Sequence, residues 1–544
     1  MQRIHPTRLP LLSDYYQRVL KKAQSPTLPL LADGIDVFTG QPACWQYPEG
    51  NSAPMSNFAS QQNFLRGLIA LSTITGDEDY HQQAKTLAQY FLDHYVDAES
   101  ALFQWGGHRF INWQNGQIEG PANKERVHEL KHHFPYYDFL HAIEPEKTER
   151  FIRGFWAAHI LSWEKLDLSR HGEYGHSFTN NIFSLHTTID VVEPSLWPQL
   201  PETVGLTFVN AATDLIYAAC HLAKYAQDED AARWAKHLYR QFVLARHPET
   251  GLPVYQFSSP LQRQPIPEDD SITFSWFGDR AKRQFGPEFG DIAREANVLF
   301  RDSWPVVVDN PLAMLDCAKV LRDKQLEQSI IDGITAYFSH AWDKTKNEIV
   351  PIWNDGFDMS GYELRRDGYY GNKGDKITRQ PCDPAYLLTL VRASRQSEDK
   401  KLRQLTADMF ARFELGELDP ITLKVTSQAS TCHHASAYLV IALIELAQWN
   451  NNINLLLLAD EVAENLMTQH YHHHYFTPSE QHRFLRLDDP IPYALVALEA
   501  AFSHCYSDIP TFISTGGYLH GDQNINGKVK AVYDTDIVYG QLAS

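Results

Sequence analysis

The stretch Gln61–Tyr95, QQNFLRGLIALSTITGDEDYHQQAKTLAQYFLDHY, decides the fold. Its first half is apolar or small nearly all round a helical turn, as a helix buried on most faces must be. Gly76-Asp77 makes a short turn. The second half is amphipathic, with one apolar stripe and a charged remainder. Four further stretches repeat the plan: 212–251, 310–343, 383–413 and 435–467. Paired helices of this kind suit a barrel whose inner helices are buried and whose outer helices bury a single face. The expected architecture is all-α, an α/α toroid.

Spacing between the pairs is irregular. Insertions rich in His, Asn, Gly, Trp and Tyr cover residues 101–135 and 164–205, and others cover 251–290 and about 350–382. The C-terminal stretch TFISTGGYLHGDQNINGKVKAVYDTDIVYG, 511–540, predicts a small Gly-punctuated hairpin. No linker interrupts the chain, so 1–544 reads as one domain whose loops build a site at one end of the barrel.

A hydrophobic fraction of 43% suits a globular protein with a large core, and the formal net charge of −19 argues against general nucleic-acid binding. An acidic chain still accommodates a polyanionic substrate in a locally positive cleft. No segment approaches the roughly 20 apolar residues of a membrane span. Leu9–Leu12 is too short for a signal-peptide core, and six scattered cysteines contain no CxxC pair. Free thiols in a reducing compartment follow, and the expected location is cytoplasmic.

VHELKHH, Val127–His133, contains His-Glu-x-x-His, which on a helix marks zinc peptidases. The third zinc ligand is missing, and Pro135 would end the helix soon after. The competing reading for His128 and His132 is a solvated, His-rich helix surface. Glu129 stands apart, because His108 follows two glycines in WGGHRF and His171 follows Arg170 in SRHGEYGH. Two imidazoles and one carboxylate make an incomplete shell of the catalytic kind.

WGGHRF (Trp105–Phe110), NKERVHELKHHFPYYDFL (Asn123–Leu140) and LSRHGEYGHSFTNN (Leu168–Asn181), in this order, resemble the family-2 polysaccharide lyases, bacterial pectate lyases. The resemblance covers essentially the whole chain and implies an (α/α)7 barrel that cleaves polygalacturonate by metal-assisted β-elimination. It implies His108, Glu129 and His171 as ligands of a divalent transition metal, most often Mn²⁺, with Ni²⁺ or Co²⁺ as substitutes rather than Ca²⁺. Arg170 is implied as the base. The His-Glu-x-x-His pattern is then a coincidence around a metal ligand.

Elimination removes the proton at C5 of galacturonate, beside a carboxylate, so negative charge builds there and a metal cation opposes it. Arginine is an awkward base, since its ordinary pKa is about 12.5–13.8. A nearby metal, other cations and desolvation would disfavour its charged form, proton transfer could pass through a transiently neutral arginine, or Arg170 could instead pair with the substrate carboxylate. Binding a chain of carboxylates calls for cations and aromatic surfaces, and Arg280, Lys282, Arg379, Tyr174, Asn180 and Trp105 are the candidates. The Tyr471–Tyr475 cluster YHHHY and Cys432-His433-His434 read as helix-end and packing features.

A cytoplasmic enzyme would meet imported oligogalacturonides rather than polymer, which favours an exolytic enzyme releasing unsaturated digalacturonate. A sugar epimerase or glycoside hydrolase on a similar toroid would leave no unsaturated product. A helical-repeat binding module would tolerate loss of Arg170 and His171. The peptidase ranks last.

Overall fold

The computed structural model describes residues 7–121, 126–164, 166–187, 204–254, 256–259, 304–352, 356–364, 372–516, 519–525 and 528–535. The opening stretch folds as read. Helix α2 (Gln62–Thr75) follows α1 (Leu9–Ala23) and ends at Gly76, whose φ of +70° gives the left-handed cap that glycine adopts freely. Asp77 then caps α3 (Glu78–His94), its carboxylate accepting the Asp79 N–H. Helix α2 buries ten of its fourteen residues, on all sides of its first three turns, whereas α3 buries the stripe Tyr80, Ala84, Leu87, Ala88, Phe91 and Leu92.

Among the described residues the remaining α-helices are α4 (Tyr137–Ile143), α5 (Pro145–His159), α6 (Ile182–Leu185), α7 (Val209–Ala226), α8 (Glu229–Leu244), α9 (Asn310–Leu321), α10 (Lys324–Ala341), α11 (Ala385–Gln396), α12 (Lys400–Arg412), α13 (Ala437–Asn450), α14 (Ile453–His470) and α15 (Pro490–Phe502). Among the described residues they form seven inner–outer pairs: α2/α3, α4/α5, α7/α8, α9/α10, α11/α12, α13/α14 and, joining the two ends of the chain, α15/α1. The inner helix α15 packs against α2 and closes the ring. This is the α/α barrel expected from the helix pairs, with the seven-fold count that the resemblance implied.

The chain ends are also tied by charge. Arg8 forms a buried ion pair with Asp460 on α14, and its backbone N–H donates to Glu499 on α15. No helix among the described residues is long and apolar enough to cross a membrane.

Every outer helix is followed by short β-structure before the next inner helix begins. Strands or bridges start at Gln24, Val96, Ile160, Gln256, Trp342, Gly416 and Tyr471. Since outer helices all run the same way, these loops gather at the end of the barrel where inner helices start. In one of them, His473 and His474 of the YHHHY cluster take positive φ in the tight turn pairing Tyr471–His472 with Tyr475–Phe476.

Candidate active site

Residues 127–129 are a strand, not a helix. Strand β1 (Val127–Glu129) pairs antiparallel with β2 (His171–Glu173), and Glu129 lies directly opposite His171. Adjacent strand residues point to opposite faces. Glu129 therefore faces the site, while His128 turns inward against Phe155, His159 and Tyr174. Both readings of a His-Glu-x-x-His helix fall here: His128 and His132 share no helical face, and both are buried rather than solvated.

His108 joins the pair from the first insertion. Its Nε2 lies 3.3 Å from His171 Nε2 and 3.7 Å from Glu129 Oε2. Arg170, partly exposed, places Nη2 2.6 Å from Glu129 Oε1. Lys131 Nζ and His520 Nε2 approach Oε2 at 3.4 and 2.8 Å. Burial alone would raise the Glu129 pKa, but His520, Lys131, His108 and Arg170 together hold it well below the carboxylate range. Burial pushes His108 down to about 3, against the pull of Glu129, so its imidazole is neutral. Burial also lowers the Lys131 ammonium.

The donors of His108, Glu129 and His171 lie within 4.8 Å of one another, the one such cluster found among the described residues. Ligand bonds of about 2.1 Å put adjacent donors about 3.0–3.4 Å apart, so the set needs little adjustment around a divalent transition metal. Its chemistry suits such an ion: an ionised carboxylate, and a neutral His108 whose Nδ1–H is committed to the carbonyl of His520, leaving Nε2 as the donor. The backbone leaves room for the set. A Cβ at Gly107 would stand 1.7 Å from Glu129 Oε2.

Ser169 and His159 support the turn that carries Arg170 and His171. Ser169 Oγ donates to the His171 carbonyl, and its own carbonyl accepts from His159 Nδ1, whose Nε2 meets His128 Nδ1 at 2.9 Å. The second histidine of the peptidase pattern, His132, faces Asp309 at 3.4 Å.

The other sequence candidates fare differently. Trp105 is only 1% exposed, packed among Phe58, Phe91, Phe103 and Phe151. It offers no face to a sugar, and its expectation is corrected. Tyr174 is also buried, its hydroxyl donating to the Phe103 carbonyl, with Arg109 over its ring at 5.0 Å. Arg379 is already paired with Asp343 and Asp358, 2.8 Å from each, so its charge is matched within the fold. Asn180 is exposed in the turn entering α6. Arg280 and Lys282 lie outside the described residues.

Sequence reasoning missed Lys131 and His520. Lys131 sits two residues from Glu129 and could have been read from the strand period, which returns it to the same face. His520 lies 391 residues from Glu129, in the predicted hairpin, with only its neighbouring glycines as a signal.

A family model described as periplasmic pectate lyase matches residues 28–522. The chain is 51% identical over 511 residues to a pectate disaccharide-lyase of Dickeya dadantii (strain 3937), covering 94% of this chain and 92% of that protein. Among solved structures, a D-mannose isomerase aligns with a TM-score of 0.44 at 10% identity, covering 81% of this chain and 96% of that one. Cellobiose 2-epimerase from Bacillus thermoamylovorans B4167 aligns with a TM-score of 0.39 at 11% identity, covering 91% and 99%. The family match and the 51% identity settle what the three sequence segments suggested: the chain belongs to the family-2 pectate lyases.

Proposed function

We propose that this protein is an exolytic pectate lyase that cleaves α-1,4-linked oligogalacturonides by β-elimination and releases unsaturated digalacturonate. The observation that carries the reading is the convergence of His108, Glu129 and His171, with Arg170 on the carboxylate they share. The name of the Dickeya relative supports the exolytic mode and the product.

His108, Glu129 and His171 would hold the metal, Mn²⁺ by preference, and the ion when bound opposes the charge that develops on the uronate carboxylate. The protein's share is orientation and proton handling. Glu129 stays ionised because four cationic or hydrogen-bonding groups surround it. His108 stays neutral because it is buried. Arg170 is the partly exposed group beside this cluster; once its guanidinium has released a proton to solvent, Nη2 is assigned to take the C5 proton as the C4–O4 bond breaks, and the departing O4 takes a proton from water. Lys131 supplies a fixed buried cation behind Glu129.

The test is direct. Incubation with polygalacturonate and Mn²⁺ should produce the ultraviolet band of an unsaturated uronate, and mass spectrometry should find the unsaturated dimer first. Excess chelator should abolish both, with Mn²⁺ restoring them. Saturated products would overturn the elimination chemistry, and full activity under chelator would overturn the metal.

A cytoplasmic location is part of the proposal. All six cysteines are unpaired, and four are buried, which suits a reducing compartment. Fractionation of the native host against periplasmic markers decides it, and recovery with those markers would overturn it.

A further inference from the structure

The C-terminal hairpin reaches back across the whole chain to the metal ligands through one residue. It consists of β3 (His520–Ile525) and β4 (Lys528–Tyr533), with His520 opposite Tyr533. Three hydrogen-bonding groups of His520 engage the site. Its backbone N–H donates to the Gly107 carbonyl at 2.7 Å, fixing the loop that carries His108. Its carbonyl accepts from His108 Nδ1 at 3.0 Å. Its Nε2 donates to Glu129 Oε2 at 2.8 Å.

The consequences differ by atom. A carbonyl can only accept, so His108 must carry its proton on Nδ1 and turn a lone pair on Nε2 toward His171 and Glu129. The bond to Oε2 holds one carboxylate oxygen while Arg170 holds the other. His520 is itself braced, because the Tyr533 ring stacks on it at 5.3 Å and 22°. Pro121 packs so closely against Gly521 that a Cβ there would stand 2.3 Å away.

We infer that His520 is a positioning residue of the metal centre, setting the proton of one ligand and the orientation of another, and that the C-terminal hairpin is a working part of the site. The inference rests on the metal-site reading above. It concerns a residue outside the donor cluster, acting through that cluster.

The experiment measures Mn²⁺ binding to the full-length chain by titration calorimetry, with thermal unfolding recorded in parallel. His520→Ala removes the side-chain bond to Glu129 but keeps both backbone bonds. Its Mn²⁺ affinity should fall about 10- to 100-fold, the usual effect of losing a partner of a metal ligand. His520→Gln retains an N–H donor and should recover most of that loss. Wild-type affinity in the alanine variant overturns the inference, as does a glutamine variant as weak as the alanine one. An equal loss of thermal stability in both variants, alongside restored Mn²⁺ affinity in the glutamine variant alone, supports positioning over bulk packing. A wild-type chain that takes up no Mn²⁺ overturns the metal reading itself and this inference with it. Normal wild-type uptake with an unaffected alanine variant overturns only the role of His520.

Discussion

Gly107→Ala tests the site by filling it with a single methyl group. The added Cβ would lie 1.7 Å from Glu129 Oε2 and 2.9 Å from both Glu129 Cδ and Lys131 Cε. An ordinary contact begins at 3.4 Å, so the oxygen must retreat by about 1.7 Å. Both obstacles are ends of flexible side chains, so they can swing aside and the fold should survive. The cost to stability is that of modest overpacking, about 1–3 kcal/mol. The swing, however, breaks the contacts of Oε2 with His520 and Lys131 and carries the carboxylate away from His108. Since a 1 Å misplacement in an active site costs about 10²-fold, kcat should fall at least that far, and Mn²⁺ affinity at least about 10-fold. Calorimetric Mn²⁺ titration, lyase kinetics and a thermal melt read the three quantities. Gly50→Ala is the control: at φ +92° with nothing within 4 Å, it adds backbone strain and touches no ligand. It should lose stability while keeping affinity and rate. A folded Gly107→Ala variant with wild-type kcat and Mn²⁺ affinity would refute the geometry.

Arg170→Lys leaves a cation near Glu129 but removes the guanidinium. Its kcat should fall about 10²- to 10⁴-fold, as for a lost acid–base group, while calorimetric Mn²⁺ affinity stays within about tenfold; an unchanged kcat removes Arg170 from the chemistry. Arg8→Ala leaves Asp460 buried without its ion-pair partner and should cost about 3–5 kcal/mol in denaturant unfolding, with Mn²⁺ affinity of the folded protein unaltered. Asp214→Asn probes linkage. Burial pushes the Asp214 carboxyl up to about 8, despite hydrogen bonds from the His133 and Phe134 N–H groups. A raised acid pKa means the folded chain keeps a proton that the unfolded chain has released, so Asp214 costs stability as pH rises from about 4 to 8. Thermal melts across that range should therefore show the wild type losing ground to Asp214→Asn with rising pH, and parallel curves would refute the assignment.

The helix pairs were legible because their signal is local. Buried-all-round against one-stripe periodicity, with Gly76-Asp77 between, is written within 35 consecutive residues. Residues 127–133 show the opposite case. The spacing of His128 and His132 satisfies a helix locally, but the segment is held by pairing with residues 171–173, some 40 positions away, and that partner leaves no trace in the heptapeptide. Trp105 and His108 were read together because they adjoin in sequence. The positive φ at Gly106 lets the chain turn between them, sending one side chain to the core and the other to the site. His520 was least legible of all. Two of its three contacts run through backbone atoms that every residue except proline carries, so side-chain identity says little about them.

The chain's charge and its proposed substrate pull in opposite directions until distance is considered. A net charge of −19 should repel an oligomer of carboxylates. Screening at physiological salt confines exposed charges to about 8 Å, so what counts for a docked uronate is the immediate neighbourhood. There the buried carboxylate of Glu129 is surrounded by Arg170, Lys131, His108 and His520, with the buried Asp534 carboxyl acting on Lys131. Burial weakens screening among these groups, and two of them, Arg170 and Lys131, are basic side chains. The basic side chains offset these carboxylates, and a divalent ion would leave an excess of positive charge. The partners that keep Glu129 ionised thus prepare the site for a divalent ion, and that ion would supply the local field an anionic sugar needs without the acidic exterior entering the recognition.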